Sequence, residues 1–460
     1  MGAVPRYDLD INRFSGNPYP DLKELRSRRP SRSFRNLRSE GRCAAANTRP
    51  RNQRGSISIR MTGVRLLIAA LAIFASTVRS NASDTASPGV SDTEIKIGQT
   101  VPLSGPVSAY ATFGRASLAY FAMVNDRGGV NGRKITLLIA DDAFSPPKTV
   151  EQTRKLVESD EVFAIYAPMG SATSIAVQKY LNQRKVPQFL VQSGLPRWNN
   201  PQQFPWTISG YPNYEREVRA YARFILERMP KARIAVLFQN DDFGRAFLDG
   251  LKSALGPANE SMVVASEPFN VSDPTVDSQV VKLASSNADV LLVAATAKQA
   301  IQSLKKAAEL GWRPEKIIAS LAASVERTYA VAGFEASKGA ISAAVLKDPT
   351  EPDLANDTDV RAYRAWMERY YPTGDWKDTI HVGAFVQGSI FTEVLRRCGS
   401  DVNRENFLKQ ATSLTNFKIP MIREGIAVGM DSGNYDLFRS MQLIQFDGTG
   451  NKPIGPPTGG

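Results

Sequence analysis

Several short turns collect side chains suited to holding a small polar molecule. One runs Pro102-Leu103-Ser104-Gly105-Pro106-Val107-Ser108-Ala109-Tyr110, with hydroxyls and an exposed aromatic. A second is Met169-Gly170-Ser171-Ala172-Thr173-Ser174, directly before the helical stretch 175–184. Hydroxyls beside the unpaired N–H groups of a helix start suit a carboxylate, although plain N-capping by Ser171 or Thr173 explains the same residues equally well. Gln192-Ser193-Gly194, Asn240-Asp241-Asp242-Phe243-Gly244 and Thr296 end three further strand-like runs. Asp241 and Asp242 fit helix caps better than ligand contacts, and Phe243, between an acidic turn and Gly244, suits a lid. Binding is chemistry these residue types can do; catalysis needs more.

The parts for catalysis are missing. His381 is the single histidine, placed at the start of an apolar helix as a cap or packing residue, and the two cysteines, Cys43 and Cys398, form no cluster. A zinc site or a histidine base therefore lacks its components. No GxxxxGK[ST], no GxGxxG opening the first helix and no GxSxG occurs, and the glycines of 128–133 precede a strand instead of following one. No cofactor is expected, and an enzyme on a doubly wound fold stays only as the weaker alternative.

The elements that position these turns alternate along the chain. Strand candidates fall at 95–101, 134–142, 162–168, 187–193, 233–240, 261–269, 289–296, 316–321, 339–346 and 441–447. Several are apolar at consecutive positions, such as Val290-Leu291-Leu292-Val293, which means that helices cover both faces. Amphipathic helices lie between them, including 299–310 with Gly311 as its stop and 214–229 ended by Pro230. The pattern predicts an α/β protein with parallel sheets. Ten strands divide better into two sheets than one. Ligands of doubly wound sheets sit beyond the C-terminal strand ends, where all of these turns lie. The Pro/Gly-rich end 453–460 reads as a frayed tail.

The net charge of +12 would suit a nucleic-acid binder, but it is made of +9 in residues 1–60, +2 from Arg65 and Arg79, and only +1 in residues 83–460. The body offers no field to attract nucleic acid. Residues 66–75 (LLIAALAIFA), behind Met61 and Arg65 and before Ser80-Asn81-Ala82, describe a secretory signal peptide over 61–82. Residues 1–60 read as a leader outside the fold, either an upstream extension of the reading frame or a disordered basic arm. The mature body then has one thiol, Cys398, in a structural role, and no disulfide.

The run 97–158 resembles the N-terminus of the leucine/isoleucine/valine-type periplasmic binding proteins. The marks are Leu103-Ser104-Gly105-Pro106, Tyr110, Asn125 followed by Gly128-Gly129-Val130-Asn131-Gly132, and Asp141-Asp142. Asn240-Asp241-Asp242-Phe243-Gly244 and the stretch from Met441 to Gly448 continue the likeness, which covers about 92–450. The resemblance implies a type I periplasmic binding protein: two doubly wound lobes joined by three crossover segments, near 209–211, 341–344 and 425–430. Lobe 1 would be 92–210 plus 343–427, and lobe 2 would be 211–342 plus 428–452. It implies a periplasmic, monomeric partner of ABC permease subunits that carries a small organic acid or amino acid. A ligand-sensing domain of a receptor or regulator shares the fold.

By the same resemblance the ligand would meet Tyr110, Ser171, Thr173, Gln192, Ser193, Phe243, Thr296 and Ala322. Amino-acid-binding members hold the ammonium with an acid after the strand that is here 316–321. This chain has Ala322-Ala323-Ser324 there, with Glu326 too late. A buried ammonium without a counter-charge costs several kcal/mol, on the order of a lost buried ion pair. The expected ligand therefore keeps a carboxylate and lacks an amine, as an aromatic acid does. The family's usual disulfide cysteines are absent too, which bears on stability alone.

Overall fold

The computed structural model describes residues 87–414 and 418–459. The leader at 1–60 and the signal peptide at 61–82 lie outside the described residues.

Five strands form one all-parallel sheet: β1 (Glu94–Val101), β2 (Lys134–Asp141), β3 (Ile165–Tyr166), β4 (Gln188–Val191) and β5 (Thr207–Ser209), in the order β2-β1-β3-β4-β5. A second sheet contains β6 (Ile234–Gln239), β7 (Val263–Phe269), β8 (Val290–Ala294), β9 (Glu315–Ile318), β10 (Ile341–Ala344), β11 (Ser440–Phe446) and β12 (Asn451–Gly459). Its order is β12-β11-β10-β9-β8-β6-β7, parallel from β7 to β10 and antiparallel at β11 and β12. Read from β7, its first five strands repeat the order of the first sheet. Both sheets therefore reverse direction of winding at one place, β1/β3 and β6/β8, and such switch points open a crevice for a ligand. β6 and β8 are buried at every residue, as helices on both faces require.

The chain does not finish one sheet before beginning the next. After β10 the helices Thr358–Tyr370, Thr379–Cys398 and Arg404–Ala411 return to the first sheet before the chain leaves again for β11. Their rings pack there: Phe391 lies 5.2 Å from Tyr166 and 6.0 Å from Phe121, and Phe407 lies 5.4 Å from Phe163. Arg404 donates to the carbonyls of Phe163 and Val162. Isolated bridges Leu346↔Ile422 and Val428↔Phe438 tie the later connecting stretches together.

All ten expected strands form. β3 keeps only two of the seven residues expected, because Ala167 turns into left-handed φ at 44° and Arg404 occupies the carbonyls before it. β5 was not anticipated, since three residues carry no period. The expected frayed tail is a correction: 451–459 is an edge strand, pairing Ile444 with Pro453 and Leu443 with Ile454. Prolines fit an edge because its outer side needs no N–H donor. Gln442 Nε2 adds bonds to the carbonyls of Ile454 and Gly455.

Candidate functional site

The loops beyond the strand ends of both sheets enclose a cavity of about 170 Å³. A dry cavity of roughly 150 Å³ accommodates one benzene ring, so this one suits a molecule of about that size. Val107, Phe113, Phe144, Tyr214, Phe243 and Leu346 give it a mainly apolar and aromatic lining.

The polar wall on the first-sheet side is built around the start of the helix Ser171–Gln183. Gly170 is its cap residue, at φ 101°, and no side chain caps it. A Cβ on Gly170 would lie 2.6 Å from both Phe144 Cε2 and Thr173 Oγ1, so glycine is required there by conformation and by space. Ser171 lines the cavity without capping its helix, and its hydroxyl lies 2.7 Å from that of Ser193. Trp198 Nε1 donates to Ser193 Oγ at 3.0 Å, and the Gly194 N–H donates to the Tyr214 hydroxyl, which neighbours both serines. Two N–H groups thus feed a cluster of three hydroxyls, which prepares it to donate toward an acceptor such as a carboxylate. Ser193 is buried behind Ser171, outside the wall. Thr173 turns its hydroxyl back to the Met169 carbonyl at 2.6 Å and does not line the cavity. Gln192 does line it, with its amide held by the Leu190 carbonyl.

On the second-sheet side, Asp241 caps the helix Asp242–Leu255. Its Oδ1 accepts from the N–H groups of Phe243 and Gly244, and its Oδ2 accepts from Gln239 Nε2. Burial raises its pKa against these hydrogen bonds. Phe243 faces the cavity while packing on Tyr214 and Phe247, at 5.3 and 5.1 Å. Thr296 also lines it and donates to Gln299 Oε1. Ala322 is fully buried in the second-sheet core and not on the wall; the 3-10 turn Ser320–Ala322 turns Ser320 and Leu321 outward instead.

Tyr110 connects the two sides. Its hydroxyl accepts from the Ala297 N–H and donates to the Leu321 carbonyl, each at 3.2 Å. Desolvation raises its pKa, so it remains a neutral donor.

Two residues of the site escaped the sequence reading. Arg327 lines the cavity with its guanidinium carbon 4.9 Å from the Tyr110 ring centroid and 3.3 Å (Nη2) from Asp378 Oδ1. It stands in the region searched for an acid, and Glu326 beside it turns away toward Lys377. The only signal was an arginine three residues after Ser324, whose hydroxyl accepts the Arg327 N–H. The second is Glu217, wholly buried in the helix Tyr214–Arg228. It accepts from the Ser320 N–H, the Ser320 hydroxyl and the Tyr221 hydroxyl. Burial pushes its pKa up to about 7.

The remaining titratable candidates are structural. His381 does not cap its helix, which Asp378 does; its ring bridges Thr112 Oγ1 and the Asp375 carbonyl, and burial lowers its pKa. Cys398 is a buried free thiol pushed up to about 12, which keeps it unreactive. Among the described residues no group of histidine, cysteine and acidic side chains could hold a metal ion.

The model of the family described as "Periplasmic binding protein" matches residues 94–451. A Leu/Ile/Val-binding protein homolog 7 from Brucella abortus (strain 2308) is 25% identical over 378 residues, covering 77% of this chain and 89% of that relative. A substrate-binding periplasmic protein from Ralstonia solanacearum superposes with a TM-score of 0.71 at 21% identity, covering 78% of this chain and 100% of its own. A branched chain amino acid ABC transporter protein from Thermus thermophilus, solved with bound valine, gives a TM-score of 0.72 at 15% identity, over 81% of this chain and 98% of its own.

Proposed function

We propose that this chain, which belongs to the periplasmic binding protein family, captures a small carboxylate-bearing solute in the periplasm and delivers it to the permease of an ABC importer. The observation that carries the ligand class is the cavity of about 170 Å³, with aromatic walls and the donor-rich Ser171 cluster at one helix start. A carboxylate placed there accepts from hydroxyls and from first-turn N–H groups, and the helix dipole favours its charge. The body of the ligand, an aromatic or other compact apolar group, fills the space among Phe113, Phe144 and Phe243.

In this reading residues 92–210 with 343–427 act as one lobe and 211–342 with 428–452 as the other. The solute bridges them and stabilises the closed arrangement by its differential affinity for it. Micromolar binding corresponds to about −8 kcal/mol, part of it offset by closure. The protein works as a monomer and needs no cofactor.

An amino acid is the second reading, supported by the relatives' names and by Asp241 in the wall. Both Asp241 oxygens already accept hydrogen bonds, however, which leaves an ammonium poorly served. A thermal-shift screen of aromatic acids, aliphatic acids and amino acids tests the proposal. Stabilisation by carboxylates is expected, at about 2.7 kcal/mol for a ligand at a hundred times its Kd. Absence of any response to carboxylates overturns it.

A further inference from the structure

We infer that Arg327 sets the charge class of the ligand, admitting a monocarboxylate without an amine and rejecting the matching amino acid. This rests on the solute-binding reading above and adds a specificity-determining residue to it.

Arg327 is the only lysine, arginine or histidine among the described residues that line the cavity. It lies in the tight turn Val325–Tyr329 after β9, with a side chain only 13% exposed, so its position is fixed by its surroundings. The Tyr110 ring lies against the guanidinium, and Asp378 takes one end of it. A guanidinium carries five N–H donors in a planar fork. Here Nε and Nη1 are buried and have no hydrogen-bond partner. Asp378 cannot supply what they lack, because its Oδ1 already accepts from the Ile380 N–H and lies within reach of the Ser324 hydroxyl. The group is over-supplied with donors, and a small adjustment around an anion would satisfy them.

An ammonium at this wall would meet a fixed positive charge and a surplus of donors, with no acceptor to match it. A second carboxylate fares no better, because Asp241 also lines the cavity and Asp378 stands against Arg327. One negative charge is what the cavity accommodates.

The test compares three matched triplets by calorimetry on the full chain: phenylacetate, phenylacetamide and phenylglycine; 3-phenylpropanoate, its amide and phenylalanine; 4-methylpentanoate, its amide and leucine. Each triplet holds the body constant and changes only the charged groups. In at least one triplet the acid should bind tenfold or more tighter than both its amide and its amino acid. Arg327→Gln should reduce that preference to within about threefold, and Arg327→Lys should restore part of it. Asp378→Asn keeps a good capping residue and frees the guanidinium, so it should widen the preference for the acid.

An amino acid that binds tightest of its triplet overturns the inference. So does an Arg327→Gln variant that weakens acid and amide alike, the signature of a purely structural latch. Acids that bind with their preference untouched by Arg327→Gln remove this inference and leave the solute-binding reading standing. Failure of every carboxylate to bind removes both.

Discussion

The hydroxyl of Tyr110 donates to the carbonyl of Leu321 at 3.2 Å across 211 residues of sequence, and it accepts the N–H of Ala297 at the same distance. Tyr110 follows β1 of the first sheet, whereas Ala297 and Leu321 follow β8 and β9 of the second. One side chain thus joins the strand-end loops of both sheets at the rim of the cavity.

Tyr110→Phe keeps the ring beneath Arg327 and removes both hydrogen bonds. Each contributes about 0.5–1.5 kcal/mol net, and both exist only when the two sides meet. The variant should therefore weaken ligand binding about five- to fiftyfold with its melting temperature nearly unchanged. Small-angle scattering should show a larger radius for the ligand-free variant than for the parent. Unaltered affinity together with an unaltered radius would show that these bonds do not hold the two sides together.

Ser171 and Thr173 occupy the same helix turn but face different partners. Ser171→Ala removes a cavity hydroxyl and the end of the Trp198–Ser193 chain, so carboxylate affinity should fall about tenfold, the effect of one charge-assisted hydrogen bond of roughly 1.5 kcal/mol or more. Thr173→Ala loses only a bond to the Met169 carbonyl and should change affinity less than threefold. Titration calorimetry of the two single variants separates them. Equal losses would mean that the helix start acts as a whole and that the hydroxyl cluster has no special role.

Burial lifts Glu217 from the ordinary carboxylate value to about 7. Below pH 4.5 both folded and unfolded chains hold the proton, and this group adds no pH dependence. Between about 4.5 and 7 the unfolded chain has released it while the folded chain retains it, so stability falls as pH rises, by about 1.4 kcal/mol per unit and about 3 kcal/mol in all. Above 7 the loss levels off. Glu217→Gln should flatten this part of the stability profile, measured by urea unfolding from pH 4 to 8, while Ser320 retains an acceptor. A profile with the same slope in the variant would assign the dependence to other groups.

The strands were legible because buried parallel β-structure writes itself as continuous apolar runs, as in Val290-Leu291-Leu292-Val293. The turns after them were legible for the same reason, since ligands meet strand ends. Less legible was the direction of individual side chains. Thr173 and Ser193 sit at plausible spacings, yet a back-bond to Met169 and the contact with Trp198 turn both away from the cavity. Ala322 was placed by counting from the strand, and a 3-10 turn moved the wall one residue back. Arg327 was missed because the position was searched for an acid and because only the fold brings Tyr110 and Asp378 against it. The edge strand at 451–459 hid behind its prolines.

Gly170 joins conformation and packing in one residue. Its φ of 101° lies in territory that L side chains avoid, and a Cβ would press on Phe144 and Thr173 at 2.6 Å. Phe144 itself holds a left-handed φ of 58°, so the ring cannot yield by a simple backbone shift. Gly170→Ala should cost roughly 1–3 kcal/mol from backbone strain alone, more with the clash, and should misplace Ser171 enough to reduce binding more than tenfold. Adding Phe144→Ala removes the steric part and leaves the backbone part. The double variant should therefore be more stable than the sum of the two single changes, as thermal unfolding of all four proteins in the cycle would measure. Strict additivity would mean that the ring and the glycine do not meet.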